Sequence, residues 1–170
     1  MKNGDVGKVL KEKFGDLKEL EMGRYGRSFV SGEPEGDRIR VRYYFRESDG
    51  HFFSSLSFGS GAEGPPGHAH GGGICAVLDE AMGAVSWLNG NKAVSARLTV
   101  QFRKMIPLGE RMIVETWVDS VNRRKVNVGG KIFDFDDEVY ADAAALFVVI
   151  STDRFGKRAG GAAPGDAGGG

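Results

Sequence analysis

Hydrophobic residues recur at a helical spacing in one segment near the middle of the chain. Between residues 72 and 88 an apolar side chain returns every three or four positions, at Ile74, Leu78, Ala81, Val85 and Leu88. That period is typical of an α-helix with one face against a core. The pattern therefore predicts one long buried helix from about Gly72 to Leu88. The segment ahead of it, from Gly59 to Gly72, contains two prolines and several glycines and is predicted to be a loop.

Six other segments have the alternation or the apolar content of β-strands. In the first, Ile39, Val41, Tyr43 and Phe45 alternate with arginines, which predicts a half-exposed strand with a basic outer face. The remaining five are Phe52–Phe58, Ala93–Arg103, Glu110–Val121, Lys125–Asp134 and Val139–Ser151. One buried helix against about six strands predicts an α+β domain in which a curved antiparallel sheet surrounds the helix.

The strand predicted after the helix has two chemically different faces. Its apolar positions are Val94, Ala96, Leu98, Val100 and Phe102. Its polar positions are Ser95, Arg97, Thr99, Gln101 and Arg103. We expect the apolar face to belong to the core. The polar face is either an ordinary exposed surface or a place where a ligand binds.

The two ends of the chain differ from its middle. From Asp5 to about Glu21 an apolar stripe at helical spacing predicts an amphipathic helix that covers the domain, formed by Val9, Leu10, Phe14, Leu17 and Leu20. From Gly156 to Gly170 the chain is mostly glycine, alanine and proline, which predicts disorder. We therefore predict an N-terminal helix and connection over 1–35, a folded domain over 36–155 and a disordered tail over 156–170.

The composition argues against some classes of binding partner but gives little information on the reaction. The 170 residues are an ordinary length for one domain, and 23 basic side chains balance 23 acidic ones. With no net charge, global electrostatics gives no attraction for nucleic acid or for an anionic membrane. No apolar run reaches the about 20 residues of a membrane span, and no secretory signal is evident, so we expect a cytoplasmic protein. The single cysteine, Cys75, forms no internal disulfide, which fits a reducing compartment.

The beginning of the long helix combines groups that suit attack on a carbonyl. Asp79 is a carboxylate within an apolar helix, where desolvation and hydrogen bonding can tune it as a general base. Gly71 and Gly72 expose the first backbone amides of that helix, which lie at the positive end of its dipole. Such amides can form an oxyanion hole. The alternative interpretation of Asp79 is a structural carboxylate bonded to a neighbouring loop.

Two histidines precede these glycines. A His-x-His pair can bind zinc, but no carboxylate or thiol at ligand spacing supplies the remaining ligands, so we predict no metal site. His70 is predicted to bond to backbone and to hold the loop ahead of the helix. His68 is predicted to line the mouth of the site.

The motif His70-Gly71-Gly72, with Asp79 nine positions after the histidine, resembles that of the hotdog-fold acyl-CoA thioesterases. Gly64-Pro65-Pro66-Gly67 before it and Ile106-Pro107-Leu108-Gly109 after it extend the likeness, which covers roughly Phe52 to Ile150. Within these enzymes the chain is most similar to the branch of thioesterase superfamily members 4 and 5. It is more distantly similar to the bacterial phenylacetate-pathway thioesterases.

The resemblance implies a hotdog fold and the hydrolysis of an acyl-CoA, with medium- to long-chain fatty acyl groups ahead of aryl-acetyl or benzoyl groups. Asp79 is then the base on a water or, alternatively, the nucleophile itself. The amide of Gly71 or Gly72 polarises the carbonyl, and Ser95 orients the water. No cofactor is implied, since coenzyme A enters only as part of the substrate and product.

The resemblance also implies a coenzyme A site and a second subunit. The matching positions are Gln101, Arg103, Arg124, Lys125, Val126, Asn127, Val128 and Gly129. In such enzymes the site lies between subunits, which implies a homodimer or a dimer of dimers. The expected partners are therefore an acyl-CoA and another copy of the chain, without nucleic acid.

One departure and two alternatives remain. Related thioesterases often carry Asn or Gln six positions before the histidine, where this chain has Gly64, so more of the oxyanion stabilisation falls to backbone amides. A non-catalytic acyl-CoA-binding regulator is the competing function, and the presence of Asp79 with Ser95 favours the enzyme. A hydratase or dehydratase of acyl thioesters is the third, and the spacing of His70 and Asp79 favours the thioesterase.

Overall fold

Two helices and seven strands follow one another in the computed structural model, which describes residues 6–21, 28–31 and 36–151. The helices are α1 (Val6–Phe14) and α2 (Gly71–Leu88). The strands are β1 (Lys18–Leu20), β2 (Ile39–Arg46), β3 (His51–Phe58), β4 (Ala93–Phe102), β5 (Arg111–Asn122), β6 (Lys125–Phe133) and β7 (Val139–Val149). They form one antiparallel sheet in the order β1-β2-β3-β5-β6-β7-β4. The α+β class is confirmed, with seven strands where about six were predicted.

Helix α2 packs across one face of this sheet and forms the main core with it. Its predicted apolar face is buried at Ile74, Leu78, Ala81 and Val85, which are all at most 3% exposed. The buried hydroxyl of Thr116 on β5 donates to the carbonyl of Ala81, 3.1 Å away. Leu88 departs from the prediction and is 42% exposed, because the helix ends there at Asn89 and no longer follows the sheet.

Helix α1 is shorter than the pattern predicted. It ends at Phe14, and Gly15 then takes a φ of +85°, a left-handed conformation that glycine adopts without steric cost. The residues that follow include Lys18–Leu20, which pair with β2 as an edge strand instead of continuing the helix. Residues 1–5 and the whole predicted tail, 156–170, lie outside the described residues.

The outer face of the sheet has a second, smaller core under α1. Val6, Leu10 and Leu17 are buried there against alternate side chains of four strands, namely Tyr44, Phe53, Ile113 and Phe133. Arg46 links the end of α1 to the sheet. Its guanidinium donates to the carbonyl of Phe14 (2.8 Å) and lies over the ring of Phe53. It also pairs with Asp49. Helix α1 therefore packs over the outer face of the sheet.

A bulge at Ala96 changes which side chains of β4 face the helix. Ser95 lies opposite Phe147, and Arg97 lies opposite Leu146, the next residue along β7, so Ala96 has no partner in register. Directly opposed residues share a face, so Ser95 lies on the helix side with the buried Phe147. The predicted polar row is thus wrong at Ser95, which the bulge separates from the rest of that face.

Strand β4 is also an edge of the sheet, which explains a second difference from the prediction. It pairs only with β7 among the described strands, so one row of its backbone N–H and C=O groups is unpaired. Val94 and Phe102 were expected in the core but are 42% and 55% exposed, and Leu98 and Val100 are half-buried. The uncovered edge is therefore flanked by apolar side chains.

We expect Arg46→Met to lower the free energy of unfolding by about 2 kcal/mol, because the Phe14 carbonyl loses a charge-assisted hydrogen bond and Asp49 loses its partner. Urea denaturation measures this change. Arg38→Met, at an exposed arginine just before β2, is the matched control. Equal stability of the two variants would contradict the anchoring role.

Candidate active site

Helix α2 begins at a cap provided by a side chain. His70 has extended backbone angles, and its Nδ1 accepts a hydrogen bond of 2.9 Å from the N–H of Gly72. A Cβ at Gly72 would lie 3.0 Å from the same nitrogen, so glycine lets the ring approach closely. His70 is thus the N-cap of the helix, which agrees with its predicted role of bonding to backbone.

The cap distinguishes the two candidate oxyanion donors. The amide of Gly72 is engaged by the His70 ring, and those of Gly73 and Ile74 bond to the His70 carbonyl. The N–H of Gly71 has no acceptor among the described residues. The sequence did not decide between Gly71 and Gly72 as the oxyanion donor. Of these two amides, that of Gly71 is therefore the one available to a ligand.

The loop ahead of the helix is held against the segment that follows β4. The amide of Ala69 donates to the carbonyl of Ile106, and that of Leu108 donates to the carbonyl of Gly67. A Cβ at Gly64 would lie 2.7 Å from the Cα of His70, so no side chain fits at this position. The missing Asn or Gln therefore follows from the close packing of the loop on the cap.

Asp79 and Ser95 line the same groove. This groove, of about 450 Å³, lies between the C-terminal half of α2 and the first residues of β4. The Asp79 carboxylate is half-buried and has no hydrogen-bond partner within the described residues. The bulge brings Ser95 to this face, which places a hydroxyl beside the groove that Asp79 lines.

Glu80 is also part of the groove wall, and its contacts were not predicted. Its carboxylate accepts hydrogen bonds from the hydroxyls of Ser28 (2.6 Å) and Tyr43. Burial, followed by the bond to Glu80, raises the pKa of the Tyr43 hydroxyl, which therefore stays protonated and donates. The available signal was Tyr43 at an inward position of β2, since a buried tyrosine hydroxyl requires an acceptor.

The free amide and the carboxylate are too far apart to act on one carbonyl within a single chain. Gly71 and Asp79 are eight residues apart on one helix, which corresponds to about 12 Å along its axis. A base and an oxyanion donor for one carbonyl carbon must both lie within a few ångströms of it. The described chain therefore holds two parts of a site at separate places.

The predicted coenzyme A residues are likewise divided between two ends of the sheet. Arg103 follows β4 and pairs with Asp142 at 2.5 Å, whereas Arg124 donates to the carbonyl of Val149 at 3.0 Å and 3.2 Å. Ala141, opposite Phe102, and Val149 are eight residues apart along β7, which corresponds to about 26 Å.

Among the other candidates, exposure differs with the face of the strand. Gln101, Lys125 and Asn127 are exposed, and Asn127 donates to Ser120. Val126 and Val128 are buried in the core, where they are 0% and 1% exposed. Gly129 is covered by the ring of Trp117. Val126, Val128 and Gly129 lie on an interior strand, where the two valines point toward the core and Trp117 covers the outer face at Gly129.

Three further findings concern metal ligands, His68 and membrane-spanning helices. Across residues 6–21, 28–31 and 36–151, no three His, Cys, Asp or Glu side chains are grouped closely enough to hold a metal ion. His68 bonds through Nδ1 to the Pro66 carbonyl. In the same ranges, neither helix has the length and apolar content needed to cross a membrane.

Comparison with known proteins gives a consistent result. The family described as Thioesterase superfamily matches residues 66–141. Acyl-coenzyme A thioesterase THEM4 of Xenopus laevis is 36% identical over 89 residues, which are 52% of this chain and 40% of that protein. Acyl-coenzyme A thioesterase THEM5 of Homo sapiens is 25% identical over 120 residues, 70% of this chain and 49% of that protein. The chain thus spans about half the length of these relatives or less.

A solved structure agrees with the family match. The crystal structure of protein RHA08564, a thioesterase superfamily protein, superposes with a TM-score of 0.61 at 28% sequence identity. The alignment covers 64% of this chain and 56% of that one.

Proposed function

Because the chain carries a hotdog domain of the thioesterase superfamily, we propose that it hydrolyses a fatty acyl-CoA to the free acid and coenzyme A. The observation that carries the proposal is the groove that both Asp79 and Ser95 line, together with the unengaged amide of Gly71. The names of the similar proteins, both acyl-coenzyme A thioesterases, support the substrate class.

In the proposed reaction Asp79 takes a proton from a water that the Ser95 hydroxyl orients. The resulting hydroxide attacks the thioester carbonyl carbon, and the N–H of Gly71 stabilises the oxyanion of the tetrahedral intermediate. The C–S bond then breaks. The leaving thiolate takes a proton from the Asp79 carboxylic acid, which restores the base and releases coenzyme A and the free acid.

We further propose that the complete site lies between two copies of the chain. A second helix α2 that runs antiparallel beside the first replaces the distant Gly71, about 12 Å away in the same chain, with the Gly71 of the other copy. Pairing of the two β4 edges about a two-fold axis produces that arrangement, completes the unpaired backbone and covers the exposed Val94 and Phe102. Gly71 of each chain then lies near Asp79 of the other.

The same symmetry brings together the cationic groups proposed for coenzyme A. In antiparallel pairing the end of one β4, beside Arg103, lies next to the beginning of the other, beside Arg124. Lys125 and Asn127 lie on the outer face near Arg124, and Gln101 lies near Arg103. We assign these groups to the phosphates and pantetheine of the substrate.

We expect Asp79→Asn to lower kcat by about 100-fold or more while leaving KM nearly unchanged, because the amide keeps the shape and cannot take a proton. The rate of coenzyme A thiol release from acyl-CoAs measures this change. Asp16→Asn, at an exposed aspartate after α1, is the control. Wild-type activity in Asp79→Asn would exclude it as the base, and tight binding by wild type without turnover would identify a binding protein instead.

We expect Gly71→Pro to lower kcat by about 100-fold, because it removes the oxyanion donor. Proline suits the first residue of a helix, and the extended His70 before it is compatible, so the fold is retained. Gly71→Ala keeps the amide and is the control, since its Cβ would only reach ordinary contact with Phe102.

Mixing the two inactive variants tests the shared site. Equal amounts of Gly71→Pro and Asp79→Asn, unfolded and refolded together, form mixed dimers in which one site of two has both groups intact. Random pairing of two chains, the symmetry proposed above, therefore restores roughly a quarter of the wild-type activity. A site contained in one chain would give no recovery.

We expect Arg103→Ala and Arg124→Ala each to raise KM for an acyl-CoA by about 10-fold with little change in kcat, because a charge-assisted contact to phosphate is lost. The matched acyl-pantetheine, which lacks the nucleotide, is expected to show no such change. Arg40→Ala, on an exposed face of β2, is the control. An equal rise in KM for both substrates would assign the arginines a structural role.

A further inference from the structure

We propose that the groove beside Asp79 holds the acyl chain, that Gly83 provides its room and that Trp87 closes its end, so that the preferred substrate is a medium-length fatty acyl group. This inference rests on the proposed thioesterase function. It names residues that set chain length, whereas the function itself depends on Asp79, Ser95 and Gly71.

The groove changes character along its length. Polar groups line it where Asp79, Glu80 and Ser95 lie. The remaining lining is apolar and includes Gly83, Ala84, Trp87, Leu88 and Phe147. A fatty acyl thioester is divided in the same way, with a polar reacting group followed by a hydrocarbon chain. Burial of that chain in the groove removes its apolar surface from water.

Helix periodicity places three of these residues in one row. Asp79, Gly83 and Trp87 are four residues apart in turn, so they lie above one another on the same face of α2. A Cβ built at Gly83 would contact only Phe147, at 3.7 Å, which is ordinary van der Waals contact. The absence of a side chain at residue 83 therefore leaves open the space directly next to the catalytic carboxylate.

Trp87 is held where this row ends. Its indole N–H donates to the carbonyl of Ala93 at 2.7 Å, which fixes the ring between the end of the helix and the beginning of β4. Asp79 and Trp87 are eight residues apart on the helix, which corresponds to about 12 Å. This is the length of an extended fatty acyl chain of roughly ten carbons. Longer chains would meet the indole.

The test uses two substitutions with opposite expected effects. Gly83→Leu fills the groove and is expected to reduce the ratio of kcat/KM for decanoyl-CoA to that for acetyl-CoA by about 10-fold or more. Trp87→Ala opens the end and is expected to raise the ratio for palmitoyl-CoA to decanoyl-CoA by several-fold. Wild type is expected to prefer decanoyl-CoA over palmitoyl-CoA.

Matched controls separate chain length from folding. Gly83→Ala adds one methyl group at contact distance and is expected to lower the ratio for decanoyl-CoA to acetyl-CoA much less than Gly83→Leu does. Glycine within a helix is less favourable than alanine or leucine, so neither substitution at residue 83 weakens α2 through its backbone. Trp87→Phe keeps a ring at the end of the groove while removing the bond to Ala93, and should exclude palmitoyl-CoA better than Trp87→Ala does.

The outcomes for this inference and for the function are distinct. Turnover that depends on Asp79 but falls equally for all chain lengths in Gly83→Leu would overturn the inference and leave the function intact. A change in dimer content alone in Gly83→Leu, measured by light scattering, would also overturn it, because the groove would then hold the second copy. No turnover by wild type would overturn the function, and calorimetric binding of decanoyl-CoA that Gly83→Leu weakens would still support the groove as the acyl site.

Discussion

The hydrogen bond from the Gly72 amide to the His70 ring determines where helix α2 begins, and the rest of the site depends on that point. With the cap at residue 70, the amide of Gly71 is the one in the first turn of α2 that has no acceptor among the described residues. From this starting point the apolar face of the helix is buried against the sheet, while Asp79 faces the groove. In this bond the Nδ1 atom of His70 is the acceptor, which gives the second amide of the helix a partner.

The sequence predicted this helix well because its chemistry is local. The spacing of its apolar residues, the glycines at its start and the histidine before them all act within a few turns. The same holds for most strands, whose observed ends lie within about two residues of the predicted ones. Asp79, His70 and the pair of glycines could therefore be identified as a unit before any contact between distant segments was known.

The features that sequence reasoning missed depend on neighbours far away in the chain. Alternation alone cannot reveal the bulge at Ala96, because it exists only in the register between β4 and β7. Helix α1 was predicted to be longer because Leu17, after the turn at Gly15, packs in the same outer-face core as the helix. Glu80 accepts hydrogen bonds from Tyr43 and Ser28, which are far from it in the chain, so no local pattern predicts these contacts. The burial of Val126 and Val128 follows from the interior position of β6, which no local pattern reports.

The length of helix α2 between Gly71 and Asp79 has a consequence for how such an enzyme responds to its own abundance. If two chains share each site, the number of working sites is the number of assembled pairs. At concentrations below the dissociation constant of the pair, that number rises with the square of the protomer concentration. Halving expression would then remove about three quarters of the activity, and a substrate that bridges both chains would recruit them into working pairs. For a site shared in this way, about 12 Å of helix would make catalytic output depend more steeply on protein concentration than it does for a site built within one chain.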